Sequence, residues 1–558
     1  MTIEAFSELF EPADVHVAQR LTTLGEDTDE RVALAVALAV RALRSGSVCV
    51  DLRSVAAQAG MPELPWPAPE EWLQAVRDSP LAGKQVLRIY SDAAGDLLYL
   101  DRYWREEQQV CDDVLALLSS PRRTTVTGLD RLFPAGWEEQ RTAAHAALTQ
   151  SLTVLTGGPG TGKTTTVARL LAAIADQAAT AGAPPPRMAL AAPTGKAAAR
   201  LQDAVAAEVS KLTAVDRERL AGLRATTLHR LLGSRADTSS RFRHHRGNRL
   251  PHDVIVVDET SMVSLTMMAR LLEAVRPDAR LLFVGDPDQL ASVDAGAVLA
   301  DLVDGLGEAG VVELKTPHRF GETIGALAQA IRAGDADATV ALLRGGGTAV
   351  EWLETDDPAE QLRPTLVARA VDLREAALLG DAGTALGILD SHRLLCAHRN
   401  GPFGVTHWNR RVERWLADAT GQPTWSQWYP GRPLLVTAND YGLGVYNGDT
   451  GVMVAAPDGL RAHIGSPGAS LQFAPGRLGD VDTMFAMTIH KSQGSQADEV
   501  TVLLPPPDSR LLTRELFYTA VTRAKRRVRV VGTESSVRAA AGRRAIRASG
   551  LARRLSSR

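Results

Sequence analysis

The run Gly157-Gly158-Pro159-Gly160-Thr161-Gly162-Lys163-Thr164 spaces glycines, a lysine and a hydroxyl as a phosphate-binding loop requires. Backbone N–H groups of such a loop, and of the helix it opens, cradle anionic oxygens. The glycines allow close approach of the main chain, Lys163 reaches the β and γ phosphates, and the hydroxyl of Thr164, followed by Thr165, ligates Mg²⁺. A second group is Asp258-Glu259, which ends the apolar run Val254 to Val257. An acid in that position stands at the carboxyl edge of a sheet, near the metal, and Glu259 can orient or deprotonate an attacking water. A third run, Leu281 to Val284, ends in Gly285-Asp286-Pro287-Asp288-Gln289, where Gln289 is placed to sense the γ phosphate. Each segment alone has a plainer reading: a glycine-rich turn, a solvated acid pair, a surface turn. In this order they predict a nucleotide site for ATP and Mg²⁺.

The segments that must position these groups read as strands and helices in alternation. Leu152 to Thr156 is an apolar strand leading into the loop, and Thr165, Val167, Leu170 and Leu171 follow at helical spacing. Met188 to Ala192, Val254 to Val257 and Leu281 to Val284 are further continuous apolar runs. Such runs between helices predict an α/β fold with a parallel sheet covered on both faces. The alternation starts near residue 137 and resumes near 388. Residues from about 431 to 476, with Asn447-Gly448 and Asp458-Gly459, predict a small antiparallel insertion. Ala178 to Pro186 reads as a loop, and residues 1 to about 120 as a mostly helical docking domain broken by Pro62 to Pro69.

Bulk properties set limits. A chain of 558 residues predicts about three or four domains. Its net charge of −3 means that any nucleic-acid site is a local groove. Three scattered cysteines, Cys49, Cys111 and Cys396, exclude a disulfide scaffold or a clustered zinc site. The acidic opening, Met1 to Glu11, predicts no signal peptide. Val32 to Val40 is shorter than the ~20 residues of a membrane span. The expectation is a cytoplasmic protein with no membrane contact. Basic residues collect in Arg241-Phe242-Arg243-His244-His245-Arg246, which reads as a hairpin that splits strands or lines an exit path, or as a solvated loop. They collect again in a tail with Arg538, Arg543, Arg544, Arg547, Arg553, Arg554 and Arg558, which reads as a phosphate grip, a partner contact or a final helix with a charged face.

Taken in order, further segments carry a resemblance. They are Trp137-Glu138-Glu139-Gln140, Ala192-Pro193-Thr194-Gly195-Lys196-Ala197, Thr227-Leu228-His229-Arg230, Asp258-Glu259-Thr260-Ser261-Met262 and Gly285-Asp286-Pro287-Asp288-Gln289. His318-Arg319, Thr488-Ile489-His490-Lys491-Ser492-Gln493-Gly494 and Tyr518-Thr519-Ala520-Val521-Thr522-Arg523 complete the set. From about residue 137 onward the chain resembles superfamily 1 DNA helicases of the RecD family, motor subunits of bacterial RecBCD helicase–nucleases. Thr260 and Ala291 depart from the family pattern, beside the catalytic groups rather than on them.

The resemblance implies two RecA-like P-loop lobes: residues 121–325 with a small hairpin near 234–252, and 326–558 with an SH3-like β insertion near 431–476. It implies that Gln140 reads adenine and that Arg319 and Arg523 reach the γ phosphate as arginine fingers. Planar guanidinium groups suit the spread charge of that transition state. Thr194, Lys196, His229, Thr488, His490 and Lys491 would line a single-strand DNA groove, with Phe403, Trp408 and Tyr441 as stacking candidates that read more readily as core residues. It further implies 5′→3′ translocation, duplex ends as substrate, and a heterotrimer with RecB-like and RecC-like subunits. A freestanding helicase, a nuclease and a non-hydrolysing structural subunit are the alternatives. For the nuclease, Glu313-Leu314-Lys315 is the only acid-x-lysine element, and it reads better as a helicase strand.

Overall fold

The computed structural model describes residues 3–120, 126–235, 238–316, 322–422, 426–440, 442–466 and 469–557. Arg319 and Tyr441 lie outside the described residues.

The N-terminal region is helical up to the hairpin β1 (Leu87–Asp92) and β2 (Gly95–Leu100). The region is mostly helical, as expected, and this hairpin is its one unforeseen element among the described residues. Its strands alternate only weakly, and Asp92 to Gly95 closes them as a turn. The Ala-rich helix Glu30–Arg44 is the centre of that region, with Val32, Leu34, Val36 and Leu38 buried against Trp72 and Leu81. It is a core helix.

The first lobe contains β3 (Leu152–Gly157), β4 (Met188–Ala192) and β5 (Ala225–Thr227). A two-stranded projection, β6 (Ser234–Arg235) and β7 (Thr238–Phe242), separates them from β8 (Val254–Val257), β9 (Arg280–Gly285) and β10 (Val311–Leu314). The sheet order is β10-β3-β9-β8-β4-β5, with every pairing parallel. β3, β8 and β9 are buried along their whole length, as strands covered on both faces must be. One face packs Val167, Leu170 and Leu171 of the helix Lys163–Thr180, and the other packs Met268, Leu271 and Leu272 of the helix Leu265–Ala274.

The second lobe repeats the plan. It contains β11 (Val350–Leu353) and β12 (His392–Cys396), then the insertion strands β13 (Pro433–Val436), β14 (Thr450–Ala456), β15 (Gly459–Ser466), β16 (Ala469–Phe473) and β17 (Val481–Thr483). β18 (Ala486–Thr488), β19 (Ala497–Leu503) and β20 (Ala524–Val531) complete it. The order β11-β20-β19-β12-β18 is again parallel. The insertion is an antiparallel sheet, β16-β15-β14-β13-β17, so it runs past 476 to Thr483. Helix also continues to Thr180, into the stretch read as loop.

The basic tail does not belong wholly to the second lobe. After the helix Glu534–Gly542 the chain crosses back, and the helix Leu551–Ser556 packs on Val298–Leu306 of the first lobe. There Leu551 and Leu555 enter a core shared by the first lobe, Val48, Leu97 and Val110. Arg554 is 5% exposed at its side chain, and its Nε donates to Glu107, which is 0% exposed, at 2.9 Å. Glu107 also accepts from the Tyr99 hydroxyl (2.9 Å), Ser549 (3.1 Å) and the Gly550 backbone N–H (3.2 Å). Removing one partner of such a pair strands a buried charge. Arg554→Met is therefore expected to lower unfolding free energy by about 3–5 kcal/mol in urea titration. Arg554→Met/Glu107→Gln should recover much of that loss, and no difference between single and double variants would refute the pairing.

Candidate nucleotide site and its flanking groove

The carboxyl ends of β3, β8 and β9 face the second lobe across one cleft of about 260 Å³. It is lined from the first lobe by Lys163, Thr164, Asp258, Glu259 and Gln289, and from the second by Arg523 and Gln496. Close packing explains the glycines. Gly157 has φ +150°, and a Cβ there would stand 2.6 Å from the carbonyl oxygen of Leu314. Gly162 caps the following helix at φ 89°, in the left-handed region. The Lys163 ammonium donates to the carbonyls of Gly157 (2.5 Å) and Gly158 (2.9 Å), holding the loop in its curve. Gln140 is buried behind the loop, its amide nitrogen 3.5 Å from the Thr161 carbonyl.

On the acidic side, the Glu259 backbone N–H donates to Asp258 at 2.9 Å. Glu259 holds φ 51°, a left-handed backbone that costs a non-glycine residue about 1 kcal/mol or more. Burial, and then the neighbouring Glu259 carboxylate, pushes the Asp258 carboxyl up to about 6, against the pull of Lys163.

Arg523 follows the helix Arg514–Val521 and is 3% exposed. Its guanidinium donates to Gln289 Oε1 (2.8 Å) and to the Thr519 carbonyl (3.1 Å). Among the described residues it forms no ion pair, and burial lowers its proton affinity. Gln289 in turn donates to Asp286 at 3.0 Å, and the Tyr518 hydroxyl donates to the same Asp286 oxygen at 3.0 Å. The backbone of Leu290 completes the seam, donating to Thr519 Oγ1 (2.9 Å) and accepting from Gln493 (2.7 Å). Here the two lobes meet through hydrogen bonds made by Gln289 and its neighbour Leu290.

The sequence gives no sign of three lining or bracing groups, Gln496, Arg200 and Tyr518. Arg200 faces the cleft from the helix Gly195–Val209, one turn after Lys196, but an arginine on an Ala-rich helix looks like any solvated one. Tyr518 stands in a motif that by itself gives it no role, yet its hydroxyl lies 3.2 Å from where a Cβ of Gly158 would be.

The groove residues sit on either side of the same seam. Thr194 caps the helix Gly195–Val209 by accepting from Ala197 N–H (3.2 Å), and Thr488 caps Ile489–Ser492 by accepting from Lys491 N–H (3.2 Å). A Cβ on Gly494 would be 3.5 Å from Ala197 Cβ, so these two segments adjoin. Lys196 donates to the Gly448 carbonyl of the insertion at 3.2 Å, and desolvation brings its ammonium down to about 8. Tyr446 lies directly over Gly195, where any side chain would collide with its ring. His229 is exposed, its ring edge-on to Phe242 of the β6–β7 projection at 5.8 Å. Of the aromatics, Trp408 is 1% exposed, which removes it as a stacking platform, while Phe403 is half-buried against the same core. Glu313 is ion-paired to Arg332 at 2.9 Å. Among the described residues no helix is long and apolar enough to cross a membrane.

Comparison with known proteins agrees with this layout. The family model described as the RecBCD enzyme subunit RecD, N-terminal domain, matches residues 7–88. An AAA domain matches 137–353, and a UvrD-like helicase C-terminal domain matches 483–531. The RecBCD enzyme subunit RecD of Mycolicibacterium smegmatis is 71% identical over 554 residues, covering 99% of each chain. That of Mycobacterium tuberculosis is 67% identical over 561 residues, covering all of this chain and 97% of the relative. The ATP-dependent RecD2 DNA helicase of Deinococcus radiodurans is 31% identical over 474 residues, 84% of this chain and 59% of that protein.

Proposed function

This chain belongs to the RecD family, and from that premise we propose that it is an ATP-dependent 5′→3′ DNA helicase. It would act as a motor subunit beside RecB-like and RecC-like partners in a cytoplasmic complex that processes double-strand DNA ends. The observation that carries the reading is Arg523: a buried cation without an ion-pair partner among the described residues, lining the cleft that holds Lys163 from the opposite lobe. A buried unpaired charge is costly, and a γ phosphate is the anion that would complete it.

The roles then follow from placement. The loop Gly157 to Lys163 binds the phosphates, Gln140 reads the adenine on the strength of the resemblance, and Glu259 orients the attacking water and takes its proton. Arg319, outside the described residues, is kept as a second finger on the resemblance alone. Thr164 and Asp258 offer a hydroxyl and a carboxylate in one cleft, the hard oxygen donors that Mg²⁺ takes alongside water and phosphate. Bound there, the ion would neutralise charge building between the phosphates. Gln289 couples chemistry to movement. It joins Arg523 to Asp286, so closure of the lobes around nucleotide is felt at Leu290, Gln493 and the adjoining groove. Contacts from Thr194, Lys196, His229, Thr488, His490 and Lys491 would be to DNA backbone, since a motor moves over every sequence.

A strand-displacement assay on tailed duplexes tests this, run with the chain alone and with co-purified partners. Unwinding is expected only from 5′ tails and only with ATP. Displacement from 3′ tails alone would reverse the proposed polarity, and none on any tail with partners present would favour a structural subunit.

A further inference from the structure

The helix Val405–Thr420 carries a cationic stripe that the nucleotide site does not use. Its inner face, Trp408, Val412, Trp415 and Leu416, is buried. His407, Arg410, Arg411 and Arg414 recur at spacings of three and four, which puts them on one outer face. With Asn400 and Pro402 of the preceding loop they line an open cleft of about 660 Å³.

Three observations set this stripe apart. Among the described residues none of its arginines has an ion-pair partner, although neighbouring Arg363, Arg369 and Arg393 each do. The acid within the stripe, Glu413, is engaged elsewhere, accepting from the Tyr429 hydroxyl at 2.9 Å. Arg411 is held in place, 5.3 Å above the Trp415 ring and 3.4 Å from His407 Nε2. Like charges one turn apart destabilise a helix by a few tenths of a kcal/mol. In a chain of net charge −3, such a concentration makes a local positive field.

Topology says where that field lies. The loop leaves the carboxyl end of β12, whose last residue Cys396 is the register partner of Thr488 on β18. The loop and helix therefore rise from the same sheet edge as Thr488 to Lys491, one strand away. The charge of Arg399 in this loop is felt at Lys491, whose ammonium is lowered first by burial and also by that arginine.

We propose that the cleft formed by Asn400, Pro402 and the His407–Arg414 stripe is a second phosphodiester-binding site, which takes the DNA single strand beyond Thr488 and Lys491 on the second lobe. The inference rests on the proposed helicase reading. Three arginines without acidic partners suit a backbone of evenly spaced anions. The site would set occupied length and grip without affecting sequence preference.

Fluorescence anisotropy with the full chain and oligonucleotides of increasing length, across a salt series, tests it. Arg410→Gln/Arg411→Gln/Arg414→Gln should bind short strands as wild type does but lose the added affinity of long ones. Its slope of log K against log salt on long strands should fall by about 2, for three phosphate contacts on a single strand. Arg410→Gln/Arg414→Gln leaves Arg411 packed on its tryptophans and should lower the slope by about 1.4. Replacing all three with lysine should restore most of it. Unchanged slope and length dependence would overturn the proposal, as would loss of co-eluting protein partners with DNA binding intact. Lys491→Ala separates the premise from the inference. If it leaves short-strand binding untouched, the groove itself is misplaced; if it weakens that binding while the arginine variants behave as wild type, only the second site fails.

Discussion

Lys163→Ala is expected to lower DNA-stimulated ATP hydrolysis by about 10³-fold, the upper end of what losing one preorganised donor to a developing anion costs. The lysine is the first-lobe cation at the phosphate loop, and its present hydrogen bonds to Gly157 and Gly158 keep it poised there. Because those two bonds also brace the loop, nucleotide affinity should fall as well. The mutation touches no core cluster, so the thermal unfolding midpoint should move by only a few degrees. Phosphate-release kinetics with and without single-stranded DNA measure the first effect, and differential scanning calorimetry the second. Wild-type turnover in this variant would show that hydrolysis occurs elsewhere.

Arg523→Ala should separate binding from turnover. The first lobe still holds the triphosphate, so affinity for a fluorescent ATP analogue should stay within a few-fold of wild type. Turnover should drop by about 10³–10⁵-fold, the range over which an arginine finger acts. Arg523→Lys should rescue little, because a point charge cannot serve Gln289 Oε1 and a phosphate in the fixed fork of a guanidinium. Equal losses of affinity and turnover would mean that Arg523 merely supports the fold.

Much of the nucleotide site could be read from the chain because its chemistry is local. A loop that surrounds phosphate with N–H groups admits few sequences, and strands covered on both faces announce themselves as unbroken apolar runs. The contents of the seam were harder. Arg200 has no local mark, since an arginine on a helix gains its meaning from what lies opposite. The contact of Tyr446 with Gly195 joins segments about 250 residues apart, and nothing in either sequence encodes the other. The β1–β2 hairpin escaped because its pairing is settled by burial against the helix Glu30–Arg44 and the tail, not by its own alternation. Trp408 shows the reverse: an aromatic beside a basic stripe invites a stacking role, and only burial assigns it to the core.

The returning tail has a mechanical consequence. The backbone N–H of Ala545 is bonded to Glu515 in the second lobe, while that of Ala548 is bonded to Ser47 on the N-terminal side. Three residues span at most ~11 Å when fully extended. The return crossing therefore ties the second lobe to the N-terminal side through a segment too short to let the two drift far apart at that point. Opening of the cleft should be smallest beside this crossing and widen away from it.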